Sequence, residues 1–325
     1  MTTNEVQEPS VGNEVRNATV PGRLSGNTGA TPSARRRESV GRVPLSPVGV
    51  AVVAIAGTLA LLAFWFVFYA LVLSGLQENH AQHLLYSQLR QELALATVPV
   101  GGAIKPGTPI AAIDAVDIGL NAVVVEGTSS ADLTDGPGHL PDSPLPGQAG
   151  NSVIFGRSAT FGAPFGAVHD LRKGAIISVT TGQGTFGFRV LDVRGPGDPL
   201  PSAAELGRSS LTLETSAGSG WRSGWAPDEV IYADATLVSG KVQPAPGGRP
   251  AIVPTVDNPL ASDTTDPVLF ALFLWLLALL LLSVGLAYAY IRWTVWQLWF
   301  VGLPALVAML WVVSNTAMLL LPNLA

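Results

Sequence analysis

The chain contains no cysteine. That excludes disulfides, thiolate metal ligands and any chemistry that starts at a thiol. Charge is scarce as well: 13% of the 325 residues are charged against 48% hydrophobic, and mean hydropathy is +0.39. Ordinary soluble domains carry about 25% charged residues, so the composition excludes a purely soluble chain. Residues 75–266 hold eleven Lys or Arg against nineteen Asp or Glu. An acidic balance of that kind argues against nucleic acid as a partner and against electrostatic docking on anionic lipid.

What is present begins with three uncharged runs, Val48–Leu73, Val268–Ile291 and Leu298–Leu321. Each exceeds the roughly 20 residues a helix needs to cross a bilayer core of about 30 Å. The first is also too long for the apolar region of a cleaved signal peptide, about 7–15 residues, and reads as a permanent anchor. Before it, residues 1–45 are rich in Ser, Gly, Pro, Asn and Arg with no apolar period, and read as a disordered tail. That tail carries Arg16, Arg23, Arg35, Arg36, Arg37 and Arg42, and Arg292 lies in the turn between the last two runs. Basic flanks stay cytoplasmic. The reading is therefore a multi-pass plasma-membrane protein with its N-terminus inside and its middle segment outside.

The organisation expected is a cytoplasmic tail over 1–45, a transmembrane helix over 46–74 and a helical stalk over 75–96. A β-rich domain follows over 97–239, then a Pro/Gly-rich linker with little structure over 240–266, and transmembrane helices over 267–291 and 298–321. Leu84, Leu85, Leu89 and Leu93 recur at helical spacing in the stalk. His80 and His83 on it read as a solvated face, and neither a metal site nor a cofactor is expected. In the middle domain, short apolar runs alternate with Gly/Pro turns, the pattern of an all-β barrel or sandwich. The expected strands are Pro109–Ile113, Ala122–Glu126, Ser152–Arg157, Ala175–Thr180, Phe186–Val193, Ser209–Thr215 and Glu229–Val238.

Several spaced motifs in this domain occur in one order: Gly136–His139 (GPGH), Leu145–Gly147 (LPG), Gly150–Asn151, then Phe161–Phe165 (FGAPF). Downstream come SLTLETS at Ser210–Ser216 and VIYADATLV at Val230–Val238. This block resembles the sortases of the actinobacterial, class E/F-like type. The resemblance implies a mainly β fold: an eight-stranded sortase-like barrel with short helices, here combined with one N-terminal transmembrane helix and a C-terminal helical hairpin.

The family's chemistry uses a Cys that attacks a peptide carbonyl, a His that protonates the leaving amine, and an Arg that steadies the oxyanion. Carried over by position, the His falls on Arg157, the Cys on Ser216 and the Arg near Asp228 or Glu229. A hydroxyl nucleophile needs an adjacent base, which a guanidinium cannot be, and a carboxylate would oppose a developing oxyanion. The expectation is thus a catalytically degenerate, non-enzymatic sortase-like protein, a binding or assembly module of the cell envelope. Its expected partners are the bilayer and an envelope protein, membrane protein or peptide tail, with no nucleic acid. Candidate groove residues are His139, Arg157, Ser216, Trp221, Arg222 and Trp225, and Arg157 and Glu229 are expected to face each other as an ion pair. Two other readings stand beside this one. The chain is a serine-dependent transpeptidase or hydrolase using Ser216 with His139, or it is a purely structural subunit of a membrane complex.

Overall fold

In the computed structural model, residues 46–199, 207–217, 227–249, 257–292 and 295–325 are described. Eight strands close a barrel in the order β1-β2-β3-β4-β7-β8-β6-β5: β1 (Pro109–Ala115), β2 (Leu120–Glu126), β3 (Gly138–His139), β4 (Gly150–Phe155), β5 (Ile176–Thr181), β6 (Gly184–Arg194), β7 (Ser209–Ala217) and β8 (Glu229–Ser239). Pairs β2·β3 and β4·β7 run parallel, and the others antiparallel. Closure leaves no unpaired sheet edge. Alternate side chains of each strand point inward: Ile110, Val124, Ile154, Ile177, Phe186, Phe188, Leu211 and Leu213 fill the interior and are buried.

Two glycines of the GPGH and post-β4 motifs are required by close approach. At Gly138 a Cβ would run into the Gly127 carbonyl, and at Gly156 into the ring of Phe165. The two-residue strand β3 is not among the expected strands. It is too short to show a period of two, and exists because Gly138 and His139 bridge β2 and β4. Strand β4 ends at Phe155, so Arg157 lies in the turn beyond it rather than in the strand.

Helix α1 (Pro47–Phe68) passes through a π-helical turn, Tyr69–Leu73, into α2 (Ser74–Leu95) without a break. Helix α2 ends where Ala96 takes a left-handed conformation and its N–H reaches the Glu92 and Leu93 carbonyls. The expected stalk docks on the barrel instead of standing free. Leu85 and Leu89 pack with Val123 and Val125 of β2, and the Gln82 amide exchanges hydrogen bonds with the Val123 backbone. Helices α3 (Asp266–Arg292) and α4 (Val295–Met318) form the C-terminal pair. Three helical stretches, Pro47–Leu95, Asp266–Arg292 and Trp296–Met318, are long and apolar enough to cross a membrane. Tyr69 on the π-turn donates to Asn315 of α4 at 3.2 Å, and Trp65 donates to Ser314 at 3.2 Å, so polar contacts join the first and last of these helices.

Among the described residues of the linker, Gln243 and Arg249 are held more firmly than its composition implies. Gln243 bridges Gln148, and Arg249 donates to the Pro141 carbonyl at 2.9 Å and to Glu126 Oε1 at 2.6 Å. A chain poor in regular structure can still be held by side-chain bonds, and Pro/Gly content reports only on the first of these.

Candidate functional site: the groove at the ends of β4 and β7

Strands β4 and β7 are parallel neighbours with Phe155 opposite Glu214. Two steps further along that register bring the turn after β4 against Ser216. The Gly156 N–H donates to the Glu214 carbonyl at 3.0 Å, and the Thr215 hydroxyl donates to the Gly156 carbonyl at 3.0 Å. The Ser158 and Ser216 hydroxyl oxygens lie 2.7 Å apart.

A segment of the chain itself fills this groove. Beyond α4, residues Leu321–Ala325 turn back, and Leu324 and Ala325 are fully buried. The Leu324 carbonyl oxygen accepts from the Ser158 N–H at 3.0 Å and from the Ser216 hydroxyl at 2.6 Å, with the Ser158 hydroxyl at 3.2 Å. Its side chain enters an apolar pocket of Leu133 and Phe155, bordered by Leu140, Val153 and Val230. The Ala325 carbonyl oxygen accepts from the Thr160 hydroxyl at 2.6 Å and from Arg157 Nη1 at 3.4 Å. Upstream, the Asn323 N–H donates to the Ala261 carbonyl, which ties the segment to the residues before α3.

Arg157 is fully buried. Its Nε donates to the Leu133 carbonyl at 3.2 Å, and Nη2 to the Ser130 carbonyl and hydroxyl at 3.0 and 2.9 Å. Nη1 makes only longer contacts, 3.3 Å to Thr160 and 3.4 Å to Ala325. The Phe161 ring covers the guanidinium with its centroid 4.9 Å away. Desolvation pulls the Arg157 pKa down to about 9, which leaves it cationic at neutral pH. Phe161 takes a left-handed backbone (φ 48°), held by its N–H bond to the Ser74 hydroxyl and by packing against Tyr69 and Met318. The groove loop and the membrane helices are therefore one packed unit.

The expected Arg157–Glu229 ion pair does not form. Glu229 is exposed at the start of β8, and the hydrogen bonds of Arg157 run instead to the Leu133, Ser130 and Ala325 backbone oxygens and to the Ser130 and Thr160 hydroxyls. His139 is buried away from Ser216. Its Nδ1 lies 3.0 Å from Glu126 Oε2 and 3.1 Å from Arg249 Nη2, while Nε2 faces the Pro144 carbonyl and the Ser143 hydroxyl, each at 3.0 Å. Both ring nitrogens are thus engaged, and the Ser216/His139 dyad is not assembled. Trp221, Arg222 and Trp225 lie outside the described residues, as does the tail over 1–45. Among the described residues, no cluster of His, Asp or Glu suits a metal ion. Sequence reasoning missed Ser158, Thr160 and Leu324. Ser158 and Thr160 lie in a turn without periodicity, and Leu324 lies past the last membrane run, 298–321, in a stretch too short to carry a motif.

Residues 112–215 match the family model described as "Sortase domain". The barrel is sortase-like. Among solved structures, the chain is similar to a sortase D5 transpeptidase of Clostridium perfringens (22% identity, covering 50% of this chain and 98% of that one, TM-score 0.40). It is also similar to sortase E of Streptomyces avermitilis (28%, 42% and 91%, TM-score 0.34) and to sortase C-1 of Actinomyces oris (22%, 47% and 99%, TM-score 0.36). No curated protein matches the chain.

These findings correct one expectation. The expectation of a sortase-like protein that is not an enzyme is overturned by the match of residues 112–215 to the Sortase domain model. The absence of cysteine excludes thiolate chemistry only. Acyl transfer also proceeds through hydroxyls, so three substituted side chains do not establish inactivity.

Proposed function

We propose that this chain is a membrane-anchored, sortase-like protein whose groove binds a peptide segment. In this reading Ser216 and Ser158 receive one peptide carbonyl, and the pocket of Leu133 and Phe155 takes an apolar side chain. The observation that carries it is the Leu324 carbonyl, which faces three donors while its side chain is fully buried. The arginine-rich tail supports an orientation with residues 1–45 in the cytoplasm and the barrel outside, where the groove meets envelope proteins or peptide tails.

The test opens the groove in the full chain, in detergent. Leu324→Lys places a charge where the apolar pocket rejects it. Binding of a fluorescent peptide containing Asn-Leu-Ala, followed by anisotropy, is expected to rise at least tenfold over the unsubstituted chain. Adding Ser216→Ala should weaken it about fivefold, the effect of one hydrogen bond worth about 1 kcal/mol. No gain on opening overturns the reading.

A second reading is acyl transfer on the bound peptide, favoured by the match to the Sortase domain. Ser216 Oγ would form an ester with the peptide acyl group as the C–N bond breaks and the hydroxyl proton passes to the leaving amine; a second amine or water would then take the acyl group and return a proton to Ser216. Peptide and an amine nucleophile are incubated with the opened chain, and mass spectrometry is used to look for the ester on Ser216 or the transferred product. Finding neither rejects this second reading alone.

A further inference from the structure

One face of α2 meets the barrel through Ser74, Glu78 and Gln82, which recur at helical spacing. The outer two are matched. The Ser74 hydroxyl accepts from the Phe161 N–H at 3.0 Å, and Gln82 accepts from the Val123 N–H and donates to the Asp135 carbonyl, each at 2.7 Å. Glu78 between them is not matched. It is only 7% exposed, yet among the described residues no hydrogen bond or ion pair reaches its carboxyl. A Cβ added at Gly162 would stand 2.7 Å from Glu78 Oε2, so the carboxyl lies against the loop that follows Arg157. The charged group facing it from the barrel is a second acid, Asp135, at the end of the short helical turn Asp132–Thr134. The loop Thr160–Ala163 brings no charged side chain, and His80 and His83 of α2 are exposed. An ionised Glu78 would thus be a buried carboxylate with no donor and a like charge beside it. Burial, and then Asp135, pushes its pKa up to about 7.

The same loop shapes the groove. Phe161, next to Gly162, covers the Arg157 guanidinium, and its left-handed backbone is held by the bond to Ser74. Ala163 is left-handed as well, with φ 49°. Residues other than glycine keep such a backbone only where their surroundings impose it, and here α2 is part of those surroundings.

We propose that Glu78 is a proton-operated latch on the groove. With its proton, α2 seats on the Phe161 loop and on the Asp135 turn; without it, the two carboxylates repel, α2 lifts and Arg157 is uncovered. This goes beyond the peptide-binding reading and does not depend on it. A seated Glu78 holds its proton more tightly than a freed one, whose pKa is the ordinary 4.5. Seating is therefore strongest at low pH, weakens as pH rises from about 4.5 to about 7, and loses nothing further above that window.

Hydrogen exchange of the full chain in detergent tests the latch, read by mass spectrometry in segments that contain the Phe161 and Val123 amides. Both amides bond α2 side chains, so their protection reports local opening of this contact. After correction for the intrinsic pH dependence of exchange, protection is expected to fall at least tenfold between pH 5.5 and pH 8. Glu78→Gln, neutral and of the same shape, should keep at pH 8 the protection it has at pH 5.5. Equal protection at the two pH values in the unsubstituted chain overturns the latch, and that comparison stands whether or not Glu78→Gln folds. An undiminished fall in Glu78→Gln assigns the titration to another group and overturns it too. Either failure leaves peptide binding standing, because the Leu324 contacts do not involve Glu78.

Discussion

Position 216 offers a clean chemical probe because the chain has no other thiol to confuse it. Ser216 is buried beneath Leu324, whose carbonyl it bonds. In Ser216→Cys the only thiol would sit under that segment. Iodoacetamide should modify it slowly in the full-length variant and at least tenfold faster once residues 322–325 are removed, as read by intact mass. Equal rates would mean that the segment does not cover the groove in solution. The same residue shows what a motif can and cannot convey. The Ser210–Ser216 pattern places a hydroxyl at the end of β7, but the identity of its bonding partner, 108 positions away, leaves no trace in local spacing. Arg157 teaches the complement. Its type suggested an ion pair with Glu229, yet the turn after β4 carries it inward to backbone carbonyls.

Among the elements, long periodic ones are legible and short contact-made ones are not. The three apolar runs exceed bilayer length, and seven of the eight strands fall where apolar runs alternate with turns. Strand β3 is defined by its neighbours alone, and the docking of α2 on β2 depends on Gln82, a residue no amphipathic pattern would select. Strand β7 also carries a titratable consequence on its outer face. Glu214 stands opposite Tyr232, near the Arg194–Asp234 pair, which is 2.6 Å apart. Burial pushes its pKa up to about 7, with Arg194 lowering it and Asp234 raising it by smaller amounts. A carboxyl whose folded pKa is raised binds more protons folded than unfolded. Stability therefore falls as pH rises from about 4.5 to about 7 and stays lower above that window. Glu214→Gln should raise Tm at pH 8 and leave it unchanged at pH 4; an unchanged Tm at pH 8 would remove the inference.

At the scale of the whole molecule, the barrel is held to its membrane helices at several places far apart in sequence. Arg249, in the segment leading to α3, bonds Glu126 at 2.6 Å and the Pro141 carbonyl at 2.9 Å, next to buried His139. Removing one member of a buried pair leaves its partner uncompensated, at a cost of about 3–5 kcal/mol. Arg249→Met should lower the denaturant midpoint of the full chain accordingly, with Arg172→Met on the surface as the control; equal midpoints would mean that the linker is not clamped. None of this clamp could be read from the Pro- and Gly-rich composition of residues 240–266, because its partners lie in β2 and in the turn after β3.

Only three residues separate the end of α4 at Met318 from Pro322, so the groove's occupant is tethered to the membrane hairpin. Short tethers give an effective local concentration in the millimolar range. A free peptide of equal intrinsic affinity would have to exceed that level to take its place. A partner anchored in the same bilayer, presenting its own tail on a comparable leash, would start on equal terms.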